Sequence, residues 1–357
     1  MTKDDRLLRI GVLGCGPISQ FAHFDATRKA RNVDLYAICD LAPDLADRMA
    51  AVHRPKKVYY DFDAMLADPQ VDAIIVAIAD QFHVAACRKA IAAGKHVLVE
   101  KPLGTSIEEC EALRVEVHAS KLVLQVGNNR RFDPGVAFAA RFIREEMGGV
   151  MAVKAWYCDS THRYAMTDNL QPIPILSENA RKPAGNPKAD RQRYFVLGHG
   201  SHLVDTARFL GGAIESIHAR HLEKFGAHTW FVEVGFANGA LGHLDLTIPI
   251  RGDFQEGFQV YGEHGSATGK VFLPWFHKSS EVECFSERDR TFRRPLGEDS
   301  YSYKRQIEGF AATILDGAPM TGATVDDGTA AMRAMVAIAR SAENGKALRL
   351  DEMTGGV

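Results

Sequence analysis

No stretch of the 357-residue sequence is long and apolar enough to cross a bilayer as a helix. The longest uninterrupted apolar run is Ala73 to Ala79, where a spanning helix needs about 20 residues. A surplus of one charge is missing too: 43 Lys and Arg stand against 45 Asp and Glu, a formal net charge of −2. Without a basic excess or a basic run, neither nucleic acid nor a membrane surface is expected as a partner. The six cysteines, Cys15, Cys39, Cys87, Cys110, Cys158 and Cys284, form no C-x-x-C pair. Neither a zinc site nor a disulfide framework is therefore expected. Reduced thiols in the cytoplasm fit this usage, as does an N-terminal M-T-K-D-D-R without an apolar signal core. Internal repeats and low-complexity segments are lacking.

What is present is the profile of a soluble globular protein, 46% apolar and 25% charged. The length exceeds one ordinary core, so two domains are expected. The first third alternates strand and helix. An apolar strand, Leu7 to Leu13, runs into Gly14-Cys15-Gly16-Pro17-Ile18-Ser19 and then a helical pattern. This is the dinucleotide fingerprint G-x-G-x-x-G with a small serine in its third glycine position. Gly14 permits the tight turn, Gly16 lets the backbone approach a pyrophosphate, and the helix N-terminus attracts that charge. A second strand, Val33 to Cys39, ends in Asp40, 21 residues beyond Ser19. The ribose-binding acid of such folds stands about there. A carboxylate accepts from both ribose hydroxyls and repels a 2′-phosphate, and Leu41 offers that phosphate no cation. NAD is thus expected rather than NADP. The other reading of Asp40 is an N-cap for a helix from Pro43 to Ala51.

Further strands are expected at Val58 to Tyr60, Val71 to Ala77, His96 to Glu100 and Val123 to Val126. Helices are expected at Phe62 to Leu66, Phe82 to Ala93 and Ile107 to Ala119. This alternation predicts an α/β fold with a doubly wound parallel sheet. Ligands bind such sheets beyond the carboxyl ends of the strands, which puts Gly14, Asp40, Ala79, Lys101 and Asn128 on one rim. The apolar run Val97-Leu98-Val99 stops abruptly at Glu100, Lys101 and Pro102. An ammonium at a strand end can stabilise negative charge growing on a carbonyl oxygen, or lower the proton affinity of a hydroxyl. The bland alternative is a surface Lys101 paired with Glu100.

Three segments carry a resemblance: G-V-L-G-C-G-P-I-S, the series from A-I-A-D-Q-F-H to H-V-L-V-E-K-P-L, and N-N-R-R-F-D-P. Together they resemble the Gfo/Idh/MocA family of glucose–fructose oxidoreductases and inositol dehydrogenases, over nearly the whole chain. The resemblance implies an N-terminal Rossmann domain, here residues 1–128. It implies a C-terminal α/β domain, residues 129–357, with a large open, mainly antiparallel sheet that forms oligomer contacts, so a homodimer or homotetramer. It also implies NAD(P) binding and redox chemistry at a ring hydroxyl of a small polyhydroxylated substrate. On this pattern Lys101 touches the nicotinamide ribose and the reacting oxygen, and the bond to Pro102 is commonly cis. The expected cofactor contacts are Gly14, Gly16, Pro17, Ile18, Asp40, Ile78, Ala79, Asp80, His83, Glu100, Lys101 and Asn128. His83 has a second reading, a helix-start histidine packing locally.

Past Asn129-Arg130-Arg131-Phe132-Asp133-Pro134 the texture changes. A helix is expected at Ala137 to Met147 and a strand at Val150 to Cys158, followed by an irregular polar stretch, Asp159 to Arg193. That stretch, with His162, Arg163, Asn179, Arg181, Lys182 and Asn186, reads as a rim over the substrate or as an oligomer arm. Next come His199, His202 and Asp205, each three residues from the last, so that they can share a helix face. Histidine titrates near neutrality and suits moving a hydroxyl proton. The family pattern here is D-x-G-x-H-x-x-D. His202 and Asp205 match it, but Gly198 stands where the leading aspartate belongs, which puts the aspartate–histidine relay in doubt. The catalytic candidates are therefore Lys101 and His202, with His199 as an auxiliary. Substrate contacts are expected from Lys101, Asn129, Arg130, His162, Arg163, His199 and His202. A metal is not expected, since the two histidines lack a third ligand. From Ile214 onward, period-two alternation with an Asn238-Gly239 turn predicts antiparallel strands, and two helices close the chain. The expected activity is an NAD-dependent dehydrogenase of a sugar, glycoside or inositol. A non-catalytic NAD-sensing regulator and an enzyme that recycles bound NAD internally remain as alternatives.

Overall fold

The computed structural model describes residues 6–163, 170–180 and 189–357. Among these, one unit comprises 6–129, 171–180 and 303–329, and a second comprises 130–163, 170, 189–302 and 330–357.

The first unit is built on β1 (Leu8–Leu13), β2 (Val33–Cys39), β3 (Lys57–Tyr59), β4 (Ala73–Val76), β5 (His96–Val99) and β6 (Leu124–Val126). They form one parallel sheet in the order β3-β2-β1-β4-β5-β6. Near-continuous apolar runs suit strands covered on both faces, and Ile10, Val12, Ile74, Ile75, Val97 and Leu98 are buried. The helices are α1 (Phe24–Lys29), extended at its start by a π turn over Ser19–His23, α2 (Pro43–His53), α3 (Phe62–Ala67), α4 (His83–Ala92) and α5 (Ile107–Ser120). The order in which the chain adds strands reverses between β1 and β4, the place where open α/β sheets leave a crevice for a ligand. Helix α5 starts at a capping box in which Ser106 accepts from the Glu109 N–H and the Glu109 carboxylate accepts from the Ser106 N–H. This fixes the chain's exit from the β5 rim.

The second unit is built on β7 (Val150–Ser160), β8 (Ile214–Lys224), β9 (Ala227–Phe236), β10 (Leu241–Ile250), β11 (Gln255–Gly262), β12 (Gly265–Val271), β13 (Glu281–Ser286), β14 (Thr291–Arg293) and β15 (Leu348–Arg349). The order is β14-β13-β12-β11-β7-β10-β9-β8-β15. All neighbours are antiparallel except β7 and β10, a parallel pair that the strand pattern did not announce. Helices α6 (Pro134–Glu145) and α8 (Ser201–Gly211) pack against this sheet, and α7 (Arg191–Phe195) leads into α8 through a π turn over Val196–Gly200. Val153, Ala155 and Tyr157 of β7 are buried, whereas Met151, Phe231 and Leu241 are exposed. The closing helices are α9 (Ser302–Asp316) and α10 (Val325–Asn344). No helix among the described residues is long and apolar enough to cross a membrane.

Candidate active site

In the first unit, the rim of the sheet is shaped by the turn after β1. Gly14 has φ +98°, and a Cβ there would lie 2.4 Å from the Ala77 carbonyl oxygen, so only glycine fits. Asp40, at the end of β2, accepts the Cys15 N–H at 2.7 Å and the Ala42 N–H at 2.9 Å. Its carboxylate thus holds the glycine turn. It does not cap α2, whose N-cap is Ala42 without a side-chain bond. Ser19 donates from Oγ to the Gly14 carbonyl at 2.6 Å, a bond that a glycine in this position could not make.

A cavity of about 600 Å³ opens at this rim. It brings together Gly14, Gly16, Pro17, Ile18, Asp40, Ile78 and Ala79 with the apolar Leu41, Leu45, Phe62 and Phe82. A Cβ built on Gly16 meets nothing within 4 Å, so the turn leaves an open cradle that a side chain would fill. That cradle beside a carboxylate and apolar walls suits the pyrophosphate, ribose and adenine of a dinucleotide. Asp80, His83, Glu100, Lys101 and Asn128 lie outside the lining of this cavity.

The last four occupy the neighbouring rim. His83 is buried, with Nδ1 2.7 Å from the Pro102 carbonyl oxygen and Nε2 3.0 Å from that of Ile78. It therefore ties the turn after β4 to the turn after β5. Glu100 is buried with Oε1 2.9 Å from His23 Nε2, while its Oε2 accepts the Lys101 N–H at 3.3 Å. Burial alone would raise the Glu100 carboxyl, but the His23 bond and the nearby charges of His23, Lys101 and His83 hold it below the usual carboxylate range. Lys101 is half-buried and its bond to Pro102 is cis. Asn128 and Asn129 are buried at the end of β6.

The irregular stretch was expected over the substrate or at an oligomer contact. Residues 171–180 instead run along the cavity of the first unit. The Gln20 amide donates to the Ile175 carbonyl at 2.9 Å and accepts the Ile175 N–H at 2.9 Å, while also donating to the Cys15 carbonyl at 2.8 Å. Ser177 Oγ and Asn179 Nδ2 donate to Asp44 at 2.7 and 3.3 Å, and Ala180 forms part of the cavity wall. Arg181, Lys182 and Asn186 lie outside the described residues. Gln20 and Asp44 went unremarked in the sequence because a helical glutamine and aspartate carry no motif.

In the second unit, Tyr157 gathers the polar candidates. His202 stacks on its ring at 5.7 Å and His199 lies at 5.5 Å, with Phe254 edge-on at 5.2 Å. His199 sits in the π turn and also contacts Tyr194. Its Nδ1 is 3.5 Å from Asp159, whose carboxylate takes a 2.8 Å bond from Arg163. Burial pushes the Tyr157 hydroxyl well up, so it stays protonated. Arg130, expected at the substrate, is instead buried and grips Glu256 through a two-pronged pair at 2.8 to 3.1 Å. A guanidinium so enclosed requires that partner. Asp205, which shares a helix face with His202, forms a similar pair with Arg131 at 2.7 to 3.2 Å. His162 is exposed next to Arg163. Among the described residues, no group of three or more His, Cys, Asp or Glu could hold a metal ion.

Residues 8–128 match the Gfo/Idh/MocA oxidoreductase family, NAD-binding Rossmann fold, and residues 143–268 match the Gfo/Idh/MocA C-terminal domain. The chain belongs to the Gfo/Idh/MocA family. Within that family it is 26% identical to the myo-inositol 2-dehydrogenase of Thermotoga maritima, over 98% of this chain and 100% of that one. It is 28% identical to inositol 2-dehydrogenase 2 of Saccharopolyspora erythraea, over 95% and 94%. Its fold is that of a levoglucosan dehydrogenase solved in complex with NADH, with a TM-score of 0.77 at 22% identity over 98% and 100%. As a Gfo/Idh/MocA protein the chain is an oxidoreductase whose Rossmann unit binds NAD, as its fingerprint and Asp40 led one to expect.

Proposed function

We propose that this enzyme oxidises a secondary ring hydroxyl of a sugar, glycoside or inositol to a ketone, or runs the reverse reduction. The observation that carries the reading is the rim of the first unit, where the open Gly16 cradle and Asp40 stand beside the Lys101 turn braced by His83 and Glu100. NAD, when bound here, would supply the hydride acceptor. Gly14, Gly16, Pro17, Ile18, Asp40, Ile78 and Ala79 hold the dinucleotide, with Asp40 rejecting a 2′-phosphate. His83, Glu100 and Asn128 fix the turns around it. Lys101 lowers the proton affinity of the reacting hydroxyl and stabilises the oxygen as charge grows there. His202, aided by His199, takes the hydroxyl proton. Asn129 and Arg163 bind the substrate's other hydroxyls, with His162 at the margin, while the Arg130–Glu256 pair holds the pocket wall.

The test is a panel of inositols, hexoses and glycosides followed at the NADH absorbance. Turnover with NAD well above that with NADP is expected, and Lys101→Ala should cut kcat by a factor of about 10² to 10⁴ while NADH still binds. A folded protein that binds NAD and turns over nothing on the panel would sink the reading.

A second reading keeps NAD bound between turnovers and recycles it within the site. The contacts of Gln20 and Asp44 with residues 175–179 favour it. Product formed without NADH release would mark it. The active enzyme is a cytoplasmic homodimer or homotetramer joined through the open sheet face that bears Phe231 and Leu241. Light scattering on the purified protein reads the state directly.

A further inference from the structure

Asp159, in the last residues of β7, carries a buried carboxylate. Its side chain is 7% exposed and its Oδ2 lies 3.5 Å from His199 Nδ1. The same oxygen accepts from Arg163 Nη1 at 2.8 Å, and Oδ1 accepts from the Ser160 N–H at 2.9 Å. Burying a carboxylate costs several kcal/mol unless it is paired, so this one persists with a guanidinium, an amide and an imidazole gathered on it. Gly198 immediately precedes His199. A Cβ at Gly198 meets nothing within 4 Å, and its φ is not left-handed. Neither packing nor backbone therefore demands glycine there. The π turn leaves position 198 without a carboxylate, while β7 brings one to the adjacent imidazole.

We infer that Asp159 is the carboxylate partner of His199 in proton transfer, a positioning residue that acts through the ring. By holding Nδ1 it leaves Nε2 as the nitrogen that takes the hydroxyl proton. The inference rests on the reading above and alters one point of it: there His202 takes the hydroxyl proton with His199 as its aid, and here His199, the ring with a carboxylate beside it, is the acceptor. As the substrate C–H bond breaks and its hydrogen leaves with the electron pair for NAD, the O–H bond breaks. Its proton passes to His199 Nε2 and its electrons close the C=O bond. Asp159 stays charged and stabilises the imidazolium. A separation of 3.5 Å is long for a hydrogen bond, and catalytic contacts of this kind tighten when substrate seats. Among the described groups, Tyr157 from β7 and Tyr194 and Phe195 from α7 contact the His199 ring, Arg163 reaches it through Asp159, and His202 lies against Tyr157, with Arg130 and Glu256 also near Tyr157. Arg163 opposes Asp159 in sign, so the imidazole feels a softened carboxylate.

The test is Asp159→Asn in the full-length enzyme. The carboxylate favours the protonated ring, so the wild-type base becomes available only at higher pH. Its loss should lower kcat/KM by roughly 10- to 100-fold and shift the acidic limb of the pH profile to lower pH, with NADH affinity unchanged. In a His199→Gln background the same substitution should have no further effect. Adding Gly198→Asp to Asp159→Asn should recover part of the lost rate and move the limb back. An unmoved limb, or an undiminished effect in the His199→Gln background, overturns the inference. Should Asp159→Asn fail to fold, Arg163→Gln gives the opposite readout, a limb moved to higher pH, and no movement overturns the inference. If the wild-type enzyme turns over nothing on the panel, the functional reading has failed. The pair is then judged by NMR titration of the His199 ring, which should occur at lower pH in Asp159→Asn. Identical titrations would refute it.

Discussion

His83 Nδ1 lies 2.7 Å from the carbonyl oxygen of Pro102, across the rim from the strand that His83 follows. Its second nitrogen is 3.0 Å from the Ile78 carbonyl. Both partners only accept, so the ring donates to the carbonyl that its protonated nitrogen faces. His83→Ala leaves a carbonyl in a largely water-excluded place without its donor. Losing one such donor costs about 1–3 kcal/mol, so the urea midpoint should fall by an amount equivalent to about 1–3 kcal/mol. Pro102 adjoins Lys101, so kcat should fall at least tenfold, while NADH affinity drops less. A variant as stable and active as wild type would show that the bridge is incidental.

Gly14 and Gly16 are two residues apart and should fail in different ways. Gly14→Ala places a Cβ 2.4 Å from the Ala77 oxygen at a φ of +98°, so the variant should be strongly destabilised or insoluble. Gly16→Val meets no protein atom within 4 Å at its Cβ, so its melting temperature without ligand should match wild type. Its NADH affinity, read by calorimetry, should fall at least 100-fold because the side chain fills the cradle. Normal binding by Gly16→Val would mean that the pyrophosphate lies elsewhere.

The strand–helix alternation and the residues of the turn after β1 were legible because each rests on local chemistry. A glycine with positive φ, a carboxylate at a strand end and a small serine all announce themselves within a few positions. Asp40 was legible as a carboxylate at a strand end, but its grip on the Cys15 N–H was not, since that contact spans 25 positions. The partners of Arg130 and Asp205, Glu256 and Arg131, were not legible for the same reason: they lie far off in sequence. Asp159 was legible only as part of an irregular polar stretch. The extension of β7 to Ser160 makes it a strand residue, and the π turn that carries His199 brings the imidazole to it.

The path of residues 171–180 makes cofactor release testable. Gln20 makes two bonds to the Ile175 backbone and one to the glycine turn. Gln20→Met keeps the volume and removes all three. The NADH off-rate, measured by stopped-flow displacement, should rise about tenfold, since losing even one or two such bonds corresponds to about 1–2 kcal/mol. Adding Asp44→Ala, which frees Ser177 and Asn179, should raise it further. Off-rates equal to wild type in the double variant would show that the segment does not hold the cofactor.

The buried Glu100–His23 pair should set part of the enzyme's acid sensitivity. The folded-state pKa of Glu100 is lowered despite complete enclosure, because burial is outweighed by the His23 bond and the surrounding positive charges. A depressed carboxyl pKa contributes stability that is fully present above the unfolded value, about 4.3 for glutamate. That contribution is lost as pH falls through the folded value. Glu100→Gln removes the ionisable group and keeps an oxygen that can still accept. At pH 7 the variant should be less stable by about 1–3 kcal/mol. Below about pH 4.5 the gap should narrow, because only the wild type is giving up stability from this site. Urea midpoints measured between pH 7 and pH 3 decide it. A gap that stays constant or widens toward acid would mean that Glu100 is not held ionised by His23, and that the Lys101 turn owes its shape to packing instead of to this charge.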